Sequence, residues 1–250
     1  IRDRNKVLYY IFSIILIIYV VNQNIELESY FSFRRSHPYG FPLIDIQDDF
    51  LSPEECKDLK EYILKHDLLN NDWGKNTIIR FNTSEDSKKM FLEKKIEKIY
   101  KIFERIKQPG TNAYIVNTAI LSNSYNSEEY NEIKGHYDDS ISIQDWTKRM
   151  ILPVCTTILY INVPKNCEGG NLYLSPFGSR GGLETKTEYT PKQGRKLTFR
   201  GDTNHLVEPF FCENDTEKRI SLVFEQYKIP DKYMCDTDFG ISNHGISFSR

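Results

Sequence analysis

The chain has 250 residues, 39% of them hydrophobic and 27% charged, which is enough apolar content for a buried core and too much for a disordered, collagen-like or low-complexity chain. Its 33 Lys and Arg against 35 Asp and Glu leave a net charge of −2, so it has no broad basic footprint for nucleic acid or anionic lipid, and partners must be recognised locally. The length fits one or two domains, and no internal repeat is visible.

The sequence opens on Ile1 rather than Met and is read as the continuation of a longer chain or as a trimmed start. Residues 7–21 (VLYYIFSIILIIYVV) are apolar or aromatic except for Ser13, with Arg2, Arg4 and Lys6 before them and Glu26 and Glu28 after. As a helix this run spans ~22 Å against a hydrocarbon core of ~30 Å. An uncleaved anchor, a cleaved signal segment and a buried core helix all compete for it. Asn22, Gln23, Asn24 and Ile25 offer no small-residue cleavage pattern, and Tyr9, Tyr10 and Tyr19 suit the membrane interfaces. The leading expectation is therefore a membrane-anchor helix within residues 1–22, with the basic flank cytoplasmic and the body lumenal or exterior. Residues 23–42, with Pro38, Gly40 and Pro42, read as a linker; the folded body runs over 43–228, and residues 229–250 form a tail with no assigned role.

The body opens with a short strand over residues 43–46. Ser52-Pro53-Glu54-Glu55 then supplies a helix N-cap, a proline at the first helical position, a capping-box glutamate and an acidic first turn, for a helix running to about His66. A second helix is expected over residues 87–106, where Met90, Phe91, Ile96, Ile99, Ile102 and Phe103 recur near the 3.6 period before Pro109-Gly110. The remainder alternates like strands, at 113–121, 132–137, 151–163, 171–174, 195–200, 205–210 and 219–227, with turn signals at Gly169-Gly170, Gly181-Gly182 and Gly201-Asp202. Helices first and strands after predict an α+β protein, its β part a closed or double sheet with both helices on one outer face.

Cys56, Cys155, Cys167, Cys212 and Cys235 contain no CxxC pair and no metal-ligand spacing. In an oxidising lumen they allow up to two disulfides with one thiol over; otherwise they are five small buried apolar side chains.

His136 and Asp138 stand at i and i+2 at the end of a candidate strand, which puts an imidazole and a carboxylate on one face. By themselves they describe an ordinary surface strand end. His205, on a separate strand, adds the second imidazole of a two-His, one-carboxylate set, an arrangement suited to non-haem Fe(II). Asp139 points to the opposite face and is the poorer ligand. Arg219 and Ser221 form another i, i+2 pair, inside the otherwise apolar strand Ile220, Leu222, Val223, Phe224. A guanidinium there is costly unless paired, either with a bound carboxylate through its two-pronged fork or with an internal salt-bridge partner.

The order of these motifs carries a resemblance. His136-x-Asp138, then Glu168-Gly169-Gly170-Asn171-Leu172-Tyr173-Leu174, then His205-x-Val207-x-Pro209, then Arg219-x-Ser221, with Asp49-Phe50-Leu51-Ser52-Pro53-Glu54-Glu55-Cys56 upstream, is similar to the Fe(II)- and 2-oxoglutarate-dependent dioxygenases, and within them to the prolyl 4-hydroxylase-like branch. The resemblance covers nearly the whole body. It implies a double-stranded β-helix, or jelly-roll, core. It implies that His136, Asp138 and His205 bind Fe(2+), that Arg219 with Ser221 holds the distal carboxylate of 2-oxoglutarate, and that Tyr125 reaches the same carboxylate. It further implies O2 as cosubstrate, L-ascorbate as reductant, and hydroxylation of a peptide or protein substrate with release of succinate and CO2. Peptidyl proline leads as target; peptidyl lysine, a small molecule, or a metal-binding module without oxygenase activity are the alternatives. Taken with the anchor, it places the enzyme in the endoplasmic reticulum or another secretory-pathway membrane, with no nucleic-acid partner.

Two positions depart from the family pattern. Arg219 falls fourteen residues after His205, which demands a lengthened loop over residues 212–217 and leaves Lys218 as a substitute that faces the other way. Tyr125 stands eleven residues before His136, somewhat far, and also fits an ordinary half-buried strand tyrosine. His66 suits a helix C-terminus, and His37 and His244 lie in irregular flanks. Trp73 and Trp146 favour packing over a substrate wall, and residues 175–191 form a loop or hairpin fit for a lid.

Overall fold

The computed structural model describes residues 44–70, 77–122, 132–138, 140–142, 150–175, 186–214, 216–237 and 239–243, all within the second of two units into which the chain divides, Pro42–Arg250. The expected anchor at 1–22, the linker at 23–42, Tyr125, Asp139, both tryptophans, His37 and His244 lie outside the described residues. Among the described residues no helix is long and apolar enough to cross a membrane.

In chain order the elements are β1 (Ile44–Gln47), α1 (Pro53–Lys65), β2 (Thr77–Phe81), α2 (Glu85–Glu93), α3 (Glu97–Ile106), β3 (Ala113–Ser122), β4 (Ile133–His136), β5 (Ile141–Ser142), β6 (Met150–Ile151), β7 (Cys155–Asn162), β8 (Cys167–Gly169), β9 (Leu172–Ser175), β10 (Thr187–Tyr189), β11 (Lys196–Arg200), β12 (Asn204–Val207), β13 (Phe210–Cys212), β14 (Lys218–Tyr227), a 3-10 helix (Asp231–Asp236) and β15 (Gly240–Asn243). A seven-stranded sheet runs β1-β11-β7-β14-β3-β2-β15, a four-stranded sheet β10-β9-β12-β4, and two short ribbons pair β13 with β8 and β5 with β6. The pairings are antiparallel. This mostly antiparallel architecture with few helices is consistent with a jelly-roll-like double sheet.

The period-2 alternation of β14 divides the molecule. Ile220, Leu222 and Phe224 join Phe81, Tyr114, Val116 and Leu159 in a core covered by Leu59 and Ile63 of α1, Phe91 of α2 and Ile99, Ile102, Phe103 and Ile106 of α3. Phe81 meets the rings of Phe91 and Phe103 edge-on, each with centroids 4.9 Å apart. The opposite side of the sheet faces a second core that includes Leu121, Ile158, Tyr160, Leu174, Phe199 and Val207. Helices on one face and a second sheet on the other leave β14, between β7 and β3, buried on both sides.

The first helix follows its sequence signals. Glu55 N–H donates to Ser52 Oγ at 3.1 Å and Ser52 N–H donates to Glu55 Oε2 at 2.9 Å, closing the capping box. The single second helix expected over 87–106 is two helices instead. Lys95 takes φ 55°, and the chain turns so that Ile96 becomes fully buried. The carbonyls freed at this break are taken by α1: the Tyr62 hydroxyl donates to Lys95 O, and His66 Nε2 donates to Lys94 O at 3.0 Å. His66 thus caps the end of α1, as expected, and also bridges to the break between α2 and α3. The expected strand 151–163 is interrupted before Cys155 by Pro153, and the strand 205–210 divides at Pro209; a proline has no N–H to give a ladder. β2, β5, β8, β10 and β15 are additional to the expected strands, and the 3-10 helix lies in the tail that had no assigned role.

Cys167 and Cys212 form a disulfide between β8 and β13, while Cys56 and Cys155 are buried thiols and Cys235 is exposed. One bridge therefore stands where up to two were open. Replacing Ser52 with Ala removes the cap of α1 and is expected to cost about 1 kcal/mol of unfolding free energy, measured by urea denaturation followed by circular dichroism.

Candidate functional site

β4 and β12 pair so that His136 sits directly opposite His205, with ring centroids 4.2 Å apart. Each ring is oriented by a carbonyl two residues earlier in the chain: His136 Nδ1 donates to Lys134 O at 2.8 Å and His205 Nδ1 to Thr203 O at 3.3 Å. Both Nε2 atoms are thereby left facing inward, each 3.6 Å from Asp138 Oδ1. Asp138 lies just past the end of β4, and its second oxygen, Oδ2, accepts from Thr156 Oγ1 of β7 at 2.5 Å. The three ligand atoms of His136, Asp138 and His205 all fall within 4.8 Å of one another. Backbone-held Nδ1 atoms and a hydrogen-bonded carboxylate are the supports that fix ligand orientation at a metal centre.

Burial works to raise the Asp138 carboxyl, but the His205 and His136 charges and the Thr156 hydroxyl outweigh it and hold the group at about 2. Burial opposes the His136 cation; Asp138, by hydrogen bond and charge, overturns this and raises the imidazole above its ordinary value. His205 is more enclosed, and there burial prevails over Asp138 and lowers it. An anionic carboxylate and two imidazoles, each neutral when it ligates a cation, form a donor set suited to a divalent transition metal.

Arg219, only 3% exposed, points from β14 into the space between the sheets. Among the described residues it makes no salt bridge. Its Nη1 donates to Gly170 O, and its guanidinium carbon lies 5.2 Å from the centroid of the Tyr160 ring. Arg219 Nε is buried without a hydrogen-bond partner, and the Tyr160 hydroxyl, outside good hydrogen-bond geometry, still lies close enough to the guanidinium to favour its charge. Burial pulls the Arg219 pKa down from its ordinary value, only partly offset by Tyr160 and Glu208. A buried guanidinium with an unsatisfied Nε and no carboxylate partner among the described residues fits the carboxylate of a bound anion. Ser221 is buried on the same strand face, directly opposite Tyr160 of β7. Lys218, the substitute considered from sequence, is half-exposed and spends its carbonyl on Asn162 Nδ2 at 2.5 Å.

The structure thus groups His136, Asp138 and His205, and separately groups Arg219 with Ser221. Tyr125 cannot be placed, since it lies outside the described residues. Two interior residues escaped the sequence reading. Tyr160 was hidden because β7 is buried on both faces and reads as a uniform apolar run; its alternation with Thr156 and Ile158 is the only signal. Glu225 continues the Arg219, Ser221, Val223 alternation and could have been found from it. Its Oε1 accepts from Ser140 Oγ at 2.8 Å and its Oε2 from the Tyr227 hydroxyl, while Arg80 Nε and Nη2 each donate to Ser140 O at 3.3 Å. Burial, helped by the Asp138 charge, pushes Glu225 up to about 8.

Between its ordinary 4.5 and about 8 the folded, metal-free protein holds a proton on Glu225 that the unfolded chain releases. Stability from this group is complete below 4.5 and is lost as pH rises through 8. Thermal melts of the metal-free protein should therefore show Glu225→Gln gaining on wild type as pH rises from 5 to 8, and a gap that is independent of pH contradicts this assignment.

No protein-family model matches the sequence, and no curated protein matches it either. Among solved structures, the chain is similar to a Pseudomonas putida prolyl-4-hydroxylase at 15% identity, covering 75% of this chain and 94% of that one with a TM-score of 0.46. It is similar to the viral collagen prolyl hydroxylase of Paramecium Bursaria Chlorella virus-1 in its 2OG complex at 17% identity, covering 74% and 97% with a TM-score of 0.43. A Burkholderia pseudomallei oxidoreductase of the 2OG-Fe(II) oxygenase family is similar at 11% identity, covering 75% and 85% with a TM-score of 0.43.

Proposed function

We propose that the protein is an Fe(II)- and 2-oxoglutarate-dependent dioxygenase of the prolyl 4-hydroxylase-like branch, with a double-stranded β-helix core, acting on a peptidyl residue with proline as the leading target. One observation carries the reading: the same pair of sheets holds a His136, Asp138 and His205 cluster that could bind a metal and a buried guanidinium that has no carboxylate partner among the described residues. A zinc hydrolase would account for the triad and leave Arg219 without a purpose.

Iron and 2-oxoglutarate, with O2 and with L-ascorbate as reductant, would supply the oxidising power for C–H hydroxylation, releasing succinate and CO2. His136, Asp138 and His205 would hold the iron, with Thr156 keeping Asp138 turned toward it. Arg219 would neutralise the distal carboxylate of 2-oxoglutarate, with Nε as the unsatisfied donor, and Tyr160 would donate its hydroxyl to the same group. Ser221 stands beside them as a further donor. The inter-sheet core around Ile158, Leu174 and Phe199 excludes water, which strengthens each of these contacts. Tyr125 remains assigned to this carboxylate by resemblance alone. The apolar run at 7–21 supports a secretory-pathway membrane location with the body lumenal, and the Cys167–Cys212 disulfide supports an oxidising compartment.

Anaerobic titration of the full chain with Fe(II) and 2-oxoglutarate should give a saturable visible absorption band. His136→Ala should abolish it, and Arg219→Ala should need roughly ten- to hundredfold more 2-oxoglutarate, as the loss of charge-assisted hydrogen bonds implies. A proline-containing peptide that gains one oxygen with matching succinate release would support the substrate, and no band in folded wild type would sink the oxygenase. Arg219→Met should make the ligand-free protein more stable, by about 1–4 kcal/mol in urea denaturation, while removing 2-oxoglutarate binding, because a buried charge gives way to an apolar chain of similar reach.

A further inference from the structure

The thirteen residues between His205 and Arg219 do more than lengthen a loop. Phe210–Cys212 leaves both main sheets and pairs with Cys167–Gly169 as a separate ribbon, with Phe210 opposite Gly169 and Cys212 opposite Cys167. Two strands of three residues each have little stability of their own. The disulfide bolts one end of this ribbon.

The other end touches the anion site. Gly169 and Gly170 have φ 74° and 69°, and Gly170 N–H donates to Pro209 O at 2.9 Å. A Cβ on Gly169 would meet Pro209 O at 2.1 Å, and one on Gly170 would meet Arg219 Nη1 at 2.8 Å, so the close approach requires glycine at both positions. The Gly170 carbonyl delivered by this turn accepts the Arg219 Nη1 hydrogen bond. On its β3 side Arg219 pairs in register with Leu121, which fixes its backbone but not its guanidinium. The β14–β7 register shifts between Ile220 and Ser221, immediately beside it, so sheet pairing on that side does not set its position. None of the three metal ligands, nor Thr156, stands on β8 or β13.

We propose that the Cys167–Cys212 disulfide is a positioning element for Arg219: by locking the ribbon it fixes the Gly170 carbonyl and sets the affinity of the site for a dicarboxylate, leaving metal binding untouched. The proposal rests on the reading of Arg219 as the 2-oxoglutarate receptor. Reduction takes two electrons and two protons to give the Cys167 and Cys212 thiols, and an external dithiol is oxidised to its disulfide in the same exchange. In a reducing environment the enzyme keeps its metal and loses grip on its cosubstrate.

The test compares oxidised wild type, Cys167→Ser/Cys212→Ser and Gly170→Ala, all as full chains, by anaerobic Fe(II) titration alone and then by 2-oxoglutarate titration of the Fe(II) form. Circular dichroism melts establish that each is folded at the assay temperature. The double serine variant should need about tenfold more 2-oxoglutarate, the effect of one misaligned charge-assisted hydrogen bond, with Fe(II) affinity within about twofold of wild type. Gly170→Ala, whose added Cβ meets Arg219 Nη1 directly, tests the Gly170–Arg219 link and should show the same split with the disulfide intact; wild type reduced by an external dithiol decides the matter for the bridge if the serine variant does not fold. Unchanged 2-oxoglutarate affinity in these variants overturns the proposal. Equal losses of Fe(II) and 2-oxoglutarate affinity also overturn it, because they assign the bridge to stability of the whole fold. Absence of saturable 2-oxoglutarate binding in oxidised wild type is a different failure, since it sinks the oxygenase reading and takes the proposal with it.

Discussion

A guanidinium is held between two sheets with no carboxylate beside it among the described residues, and much of the architecture follows from that. Removing such a charge from water costs several kcal/mol unless its hydrogen bonds are replaced. Here the replacement is partial: the face of Tyr160, one carbonyl from Gly170, and the influence of Glu208. The shortfall is tolerable because β14 is anchored from behind. Ile220, Leu222 and Phe224 pack under the helices on the opposite face of the same strand, so the strand cannot tilt to release Arg219 into solvent. Stability gained on the helix side thus holds a destabilised, ligand-ready group on the other.

The same interior holds two buried carboxyls driven in opposite directions. Asp138 faces two imidazoles and a hydroxyl, which overcome burial and keep it anionic. Glu225 faces hydroxyls from Ser140 and Tyr227 and the like charge of Asp138, so burial prevails and its proton stays on. One acid is prepared to bind a cation and the other to remain neutral beside it. Arg80 donates to the carbonyl of the same Ser140, so the stretch just after Asp138 is tied to β2 on one side and β14 on the other. A metal ligand at a strand end would otherwise be free to swing, and this tie limits it.

Local signals were legible wherever the physics was local. The capping box of α1 involves residues three apart and forms as the sequence indicates. The alternation of β14 placed Arg219 and Ser221 on one face, because strand geometry leaves adjacent residues no other choice. The break at Lys95 was not legible: the apolar period continues through it, and what opens the helix is the chance to bury Ile96 and pass two carbonyls to Tyr62 and His66 of another helix. Tyr160 and Glu225 were missed for a related reason. Buried on both faces, their strands present no contrast between wet and dry sides, and only cross-strand register shows which side chains share the interior with the metal ligands.

By itself the sequence determined the helix start, the strand faces and the residue types able to bind a metal and an anion, because each of these depends on neighbours a few residues apart. Only the tertiary structure decided that His136 stands opposite His205, that Thr156 turns Asp138 inward, that Arg219 has a carbonyl and a tyrosine face in place of a salt bridge, and that Cys167 pairs with Cys212. Those contacts join residues 18 to 69 positions apart. Their geometry is set by strand register and by which surfaces pack together, quantities that no local pattern encodes.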